Sequence, residues 1–132
     1  SKGKIKVTGF VDEQDIGLYY AASDLVVLPY RVFVSSSGPL SLAFSYAKAF
    51  LLSQPLHDYF ETDDFARSAK ASAVKCDECV FSFREGELLD LIKKVKSDKA
   101  KRQKLEKFSR LMAESRSWSK TGQKYRQMIK SL

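Results

Sequence analysis

The residues best placed to do chemistry are Ser35-Ser36-Ser37-Gly38-Pro39, with Arg31 a few positions before them. Ser37 is a good helix N-cap and Pro39 suits a first helical turn, so a helix is expected to open here. The backbone N–H groups at such a helix start, with the helix dipole behind them, attract anions. Gly38 would let a phosphate approach the backbone, the serine hydroxyls add donors, and Arg31 supplies a forked cation. A phosphorylated ligand fits this corner. The plainer reading is that Ser37 only caps a helix and Arg31 is a surface side chain, and local sequence leaves both open.

Other candidates are weaker. Cys76-Asp77-Glu78-Cys79 has the spacing of half a zinc site, but no second pair of ligands exists. The acidic residues between the cysteines would raise thiol pKa values, against a redox role. His57 is the only histidine, so neither a serine triad nor a Cys-His pair can be built around it, and it reads as a loop residue. The pairs Asp63-Asp64 and Asp58-Glu61 read as acidic surface turns rather than catalytic dyads.

The elements that must position these residues follow from patterning. Lys4-Ile5-Lys6-Val7-Thr8 alternates, as an edge strand does. Asp12 is positioned to cap a helix carrying Ile16, Tyr19, Tyr20 and Ser23, which ends at Asp24. Leu25-Val26-Val27-Leu28 is a continuous apolar run of the kind covered on both faces in a parallel sheet, and Pro29 stops it. The helix after Ser37 should bury Leu40, Ala43, Phe44 and Ala47. Ala49-Phe50-Leu51-Leu52 reads as the next strand, Pro55 opens an irregular stretch with a candidate helix over 58–70, and Val80-Phe81-Ser82-Phe83 alternates again. Helices follow over Glu87 to Lys96, with Leu88, Leu91, Ile92 and Val95 on one face, over Lys99 to Ser115, and over Ser117 to Leu132. Helices between strands predict an α/β, Rossmann-like parallel sheet with flanking helices and long C-terminal helices. In such sheets ligands sit beyond the carboxyl ends of the strands, here Thr8 to Val11, Pro29 to Arg31, and Ser53-Gln54.

The 132 residues carry a net charge of +7, with 44% hydrophobic and 30% charged residues, a balance that buries a core and excludes disorder as the main state. No apolar run approaches a membrane span and no signal peptide is evident, so a cytoplasmic setting is expected. No repeat or linker divides the chain, and 1–132 reads as a single partial domain with basic helices at 93–132. Residues 1–92 hold 9 Lys+Arg and 13 Asp+Glu, whereas 93–132 hold 14 and 3. The stretch from Lys93 to Arg110 alone has nine basic and two acidic residues. An alternative function is therefore a non-enzymatic module that binds nucleic acid or anionic membrane through 93–110. Its plainer reading is a solvated helix face, and only Phe108 is there to stack on bases.

Gly9-Phe10-Val11, then Leu18-Tyr19-Tyr20-Ala21-Ala22-Ser23-Asp24, then Leu25-Val26-Val27-Leu28-Pro29-Tyr30-Arg31, then Ser37-Gly38-Pro39-Leu40, in this order and spacing, resembles the C-terminal domain of group 1 glycosyltransferases with the GT-B fold. Ser117-Trp118-Ser119, opening a last helix through Tyr125, is similar to that family's C-terminal helix. The resemblance implies retaining transfer of a sugar from a nucleotide-sugar donor, without a metal or other cofactor. It places Gly9, Phe10 and Val11 near the base, Tyr30 and Arg31 beside the nucleotide or sugar, and Ser36, Ser37, Gly38, Pro39 and Leu40 at the diphosphate. The chain departs from the family in several places. The two glutamates common in this loop are replaced by Ser35 and Ala43, as in a branch that also carries Tyr-Arg and Ser-Gly. The usual Gly and Pro before the next strand are Ala47 and Ala49, and Gln54-Pro55-Leu56-His57 replaces a Gly-rich stretch. The first two β-α units and the acceptor-binding N-terminal domain have no counterpart, so the chain reads as a fragment, inactive alone. The strands at 4–8 and 25–28 are then expected either to pair directly or to recruit strands from another copy. The basic tail would add peripheral contact at the cytoplasmic face of a membrane, near a lipid-linked acceptor.

Overall fold

The structure is a computed structural model that describes residues 6–116 and residue 129. Helix α1 (Glu13–Ala22) leads into strand β1 (Leu25–Leu28), helix α2 (Gly38–Ser45) and strand β2 (Ala49–Ser53). A 3-10 helix over Gln54–Glu61 and helix α3 (Asp63–Ser72) precede a short 3-10 turn at Cys76–Glu78 and strand β3 (Val80–Phe81), and helices α4 (Glu87–Ser97) and α5 (Lys99–Ser115) follow. The three strands form a parallel sheet in the order β1-β2-β3, with Leu25 opposite Ala49, Leu28 opposite Leu52, and Ser53 opposite Phe81. The chain is thus α/β, with a small parallel sheet flanked by helices and helices at its end. No helix among the described residues is long and apolar enough to cross a membrane.

All five residues of β2 are buried, as its apolar run requires of a central strand. β1 reads the same way in sequence but among the described residues has only one paired edge, and three of its four residues are only half-buried. Helix α5 is the hub, packing on α2, α3, α4 and β2. Phe108 is fully buried in it, with ring centroids at 5.1 Å from Phe50 of β2, 5.4 Å from Phe65 of α3 and 6.0 Å from Phe60. The Ser109 hydroxyl of the same helix face donates to the Lys48 carbonyl at 2.5 Å, tying α5 to the turn that feeds β2. At the helix end Arg116 pairs with Asp64 of α3 at 3.1 Å, its guanidinium lying over the Phe44 and Phe65 rings.

Several expectations are corrected. Lys6–Thr8 forms no strand, and Val7 is 90% exposed. Alternation only says which residues share a face, and a strand exists only where a second edge meets it. No pairing of that stretch with β1 is present among the described residues, and Lys4 and Ile5 lie outside them. The Asp12 side chain makes no cap hydrogen bond, although its carbonyl accepts from the Asp15 and Ile16 amides. Helix α1 buries none of its residues. Leu40, Ala43 and Phe44 are buried as expected, but α2 ends at Ser45, and Ala47 turns with a left-handed φ of 54° and is only half-buried. The candidate helix over 58–70 divides into the 3-10 helix and α3, and β3 stops at Phe81 because Ser82 turns toward Glu87. Leu91 and Val95 are buried, with Leu88 and Ile92 packed beside them. His57 lies exposed on the 3-10 helix, not in a loop. Apart from Ile129, the expected last helix lies outside the described residues.

Two ion pairs contribute to the acid stability. Burial alone would raise the Asp64 carboxyl, but hydrogen bonds from Thr62 and Arg116, the Arg116 charge and the Phe65 N–H outweigh it and hold its pKa low. Glu78 is likewise pushed up by burial and drawn below its ordinary value by the Lys75 N–H and by Lys104 at 3.1 Å. A carboxylate with a depressed pKa in the folded state contributes stability that is fully present above its unfolded pKa and lost as pH falls through the folded value. The melting temperature is therefore expected to fall between about pH 5 and pH 3, less steeply in the double variant D64N/E78Q. Parallel curves for the two proteins would show that these pairs do not carry the acid response.

Candidate functional site

The carboxyl ends of the three parallel strands lie on one side of the sheet, and each runs into polar sequence. From β1 the chain passes through Pro29, Tyr30 and Arg31 into the loop that ends at Ser37. The Ser37 hydroxyl accepts from the Leu40 N–H at 3.1 Å, which confirms the cap inferred from sequence and sets where α2 starts. The Tyr30 hydroxyl sits 3.1 Å from the same Ser37 oxygen. At the end of β2, the buried Ser53 hydroxyl donates to the Tyr30 carbonyl at 2.6 Å.

Three tyrosines from three elements hold this loop. Tyr20 of α1 donates to the Pro39 carbonyl at 3.0 Å, Tyr30 meets Ser37, and Tyr59 of the 3-10 helix donates to the Val34 carbonyl. Burial raises the pKa of Tyr20 and of Tyr59, with Tyr30 nearby adding to both, so these hydroxyls stay protonated as donors at neutral pH. The ring of Phe33 packs on Tyr59 at 5.4 Å. A loop fixed at Val34, Ser37 and Pro39 is preorganised, and the ordering cost of binding falls accordingly.

Between those fixed points the loop faces solvent. Ser35, Ser36, Gly38 and Pro39 are exposed, and nothing lies within 4 Å of where a Gly38 side chain would begin. Among the described residues neither the Ser36 nor the Gly38 N–H donates to a backbone carbonyl. Leu40 is buried in the core and its N–H is spent on Ser37. The groups open to an anion thus include the amides of Ser36 and Gly38 and the hydroxyls of Ser35 and Ser36.

Arg31 is exposed, with its guanidinium carbon 4.9 Å from the centroid of the Phe83 ring beyond β3. Phe83 is held in turn by the Ser82–Glu87 contact, in which Glu87 accepts from both the Ser82 hydroxyl and its N–H. Those hydrogen bonds, with the Arg84 charge, hold the Glu87 carboxyl low. Arg31 thus spans from the end of β1 to the end of β3. Beside it, at the ends of β2 and β3, lies a cleft of about 510 Å³ lined by Gln54, His57, Cys76, Ser82, Arg84 and Glu87.

Gly9, Phe10 and Val11 do not join this cluster. Phe10 is 91% exposed, and with Val11 it borders a separate cleft lined, among the described residues, by residues between Thr8 and Ala22. Tyr20, Tyr59 and Phe83 are contributors that sequence reasoning missed, and Ser53, expected only as a strand end, joins them as the donor to the Tyr30 carbonyl. Ser53 had a signal, a lone hydroxyl ending an apolar strand, and the contacts of Tyr20 and Tyr59 span 19 and 25 residues with no local pattern. Cys76 and Cys79 are both free thiols, and burial raises both pKa values, helped for Cys76 by Asp77. Among the described residues no group of three or more His, Cys, Asp or Glu is arranged to hold a metal.

In comparisons with known proteins, the chain matches no family model, no curated protein and no solved structure.

Proposed function

We propose that this chain is the donor-binding part of a retaining glycosyltransferase of the GT-B type, holding the diphosphate of a nucleotide-sugar at the start of α2. The observation that carries the reading is the clamped loop. Three tyrosine hydroxyls fix its flanks while Ser35, Ser36 and Gly38 stay open at a helix N-terminus, on the ligand-binding side of a parallel sheet. The backbone at Ala47 adds support, because its φ of 54° is the conformation glycine adopts without strain, at the position where the resembled family carries glycine.

In this reading the leaving nucleotide diphosphate gains negative charge as the glycosidic bond breaks, and the fixed amides of Ser36 and Gly38 meet it without reorganising. Arg31, tethered over Phe83, supplies a cation from the edge of the site. The sugar acceptor is bound by a further domain outside these 132 residues, and the expected setting is the cytoplasm. Neither a metal nor an organic cofactor enters this scheme.

A thermal-shift titration with UDP, GDP and ADP tests the reading directly. Ligand at about 100 times its dissociation constant adds roughly 2.7 kcal/mol, a shift of several degrees for a domain of this size. One nucleotide is expected to shift the melt more than the other two, and Arg31→Ala is expected to weaken that binding about tenfold with an unchanged unliganded melt. No shift with any of the three would remove the diphosphate from this loop.

A further inference from the structure

Seven basic residues and one carboxylate occupy positions 93–104, where α4 ends and α5 begins. The carboxylate, Asp98, is committed to the fold, its side chain accepting from the Lys101 N–H at 3.1 Å as the cap of α5. Lys104 is paired with Glu78 at 3.1 Å, and Lys101 lies near enough to Glu78 to lower its pKa. Lys93, Lys94, Lys96 and Lys99 are exposed, and among the described residues none has a carboxylate within 4 Å.

Folding accounts for only part of this concentration: Lys94 and Lys96 lie in the last turn of α4, where the helix dipole favours cations. The first turn of α5 carries Lys99, Lys101 and Arg102 and no acid, at the helix end whose dipole favours anions. Like charges crowded there oppose the fold, so their compensation is sought outside the chain. The outer face of α4 narrows the choice. Leu89, Lys93 and Lys96 recur at i, i+4 and i+7, opposite the buried Leu91 and Val95, and Leu89 is 54% exposed. An exposed leucine flanked by lysines is the pattern of a surface that rests on a bilayer, with the apolar tip entering the headgroup layer and the amines at the phosphates. Nucleic acid fits less well. Phe108, the one aromatic residue between 93 and 110, is fully buried and offers no stacking platform. Seven of the nine basic residues there are lysines, compact point charges without the planar fork that makes arginine the preferred residue for nucleic-acid recognition.

We infer that the α4–α5 corner, through Lys93, Lys94, Lys96, Lys99 and Leu89, docks on an anionic lipid bilayer. This inference stands independently of the donor-binding reading. Each lysine close to an anionic leaflet strengthens partitioning roughly fivefold. Sedimentation of the full chain with vesicles of equal parts phosphatidylcholine and phosphatidylglycerol is expected to show binding that falls steeply with salt and is absent on pure phosphatidylcholine. The variant K93Q/K94Q/K96Q/K99Q should lose on the order of several hundredfold in partitioning, and the charge-keeping K93R/K94R/K96R/K99R should retain it. L89S should lose a few-fold on vesicles. Equal binding to neutral vesicles, or an undiminished quadruple Gln variant, overturns the inference. Tighter binding to duplex DNA or RNA than to anionic vesicles, with L89S indifferent, overturns the lipid assignment in favour of nucleic acid.

Discussion

Phe108→Ala is expected to cost about 3–5 kcal/mol, a large fraction of the roughly 5–15 kcal/mol that keeps a domain of ordinary stability folded. The side chain is fully buried, and its ring meets Phe44 of α2 at 6.3 Å as well as Phe50, Phe60 and Phe65. These four partners come from four different elements, so no single shift of one helix can refill the volume. The same cluster seats α2, whose first turn is the proposed diphosphate site, and Phe65 packs on Tyr59 at 5.4 Å, one of the tyrosines that hold the loop. Urea denaturation of both proteins measures the effect, with Phe83→Ala as a control, since Phe83 is 46% exposed and should cost far less. A loss under about 1 kcal/mol for Phe108→Ala would mean that α5 is not the hub of the core.

What was legible in the sequence was local in origin. Ser37 as a cap and Pro39 inside the first turn depend on neighbours within three residues, and the structure has both. The apolar runs at Leu25–Leu28 and Ala49–Leu52 announced strands without reference to the rest of the chain. Failures came where a second segment decides. Lys6–Thr8 alternates correctly and is still no strand, because pairing is a property of two edges. The strand after Val80 is shorter than its alternation because Glu87 captures Ser82. The site shows the same division. Ser36, Ser37 and Gly38 could be named from the helix start, but not that Ser37 would consume the Leu40 amide, nor that Tyr20 and Tyr59 would arrive from distant elements to hold the loop. Patterning makes Gly9 to Val11 a strand end and resemblance sets them near the base, whereas Phe10 and Val11 border a cleft apart from the loop.

Gly38→Asp separates the site from the fold more cleanly than any other change. The position has a negative φ and open space beyond its Cα, so a side chain fits without strain. An aspartate in the first turn of a helix interacts favourably with the dipole, and the variant is expected to melt at or slightly above the wild-type temperature. Nucleotide-diphosphate binding should respond in the opposite direction. The carboxylate would occupy the space in front of the Ser36 and Gly38 amides, answer the helix dipole itself, and repel a diphosphate at contact distance. Losing a charge-assisted contact and adding repulsion should together cost about 3 kcal/mol or more, upward of a hundredfold in affinity. Calorimetric titration of both proteins with the nucleotide that shifts the wild-type melt most makes the comparison. A stable variant that no longer binds places the phosphates at the start of α2. A stable variant that binds as well as wild type places them elsewhere, and the cleft beside Arg84 and His57, at the ends of β2 and β3, becomes the site to vary next.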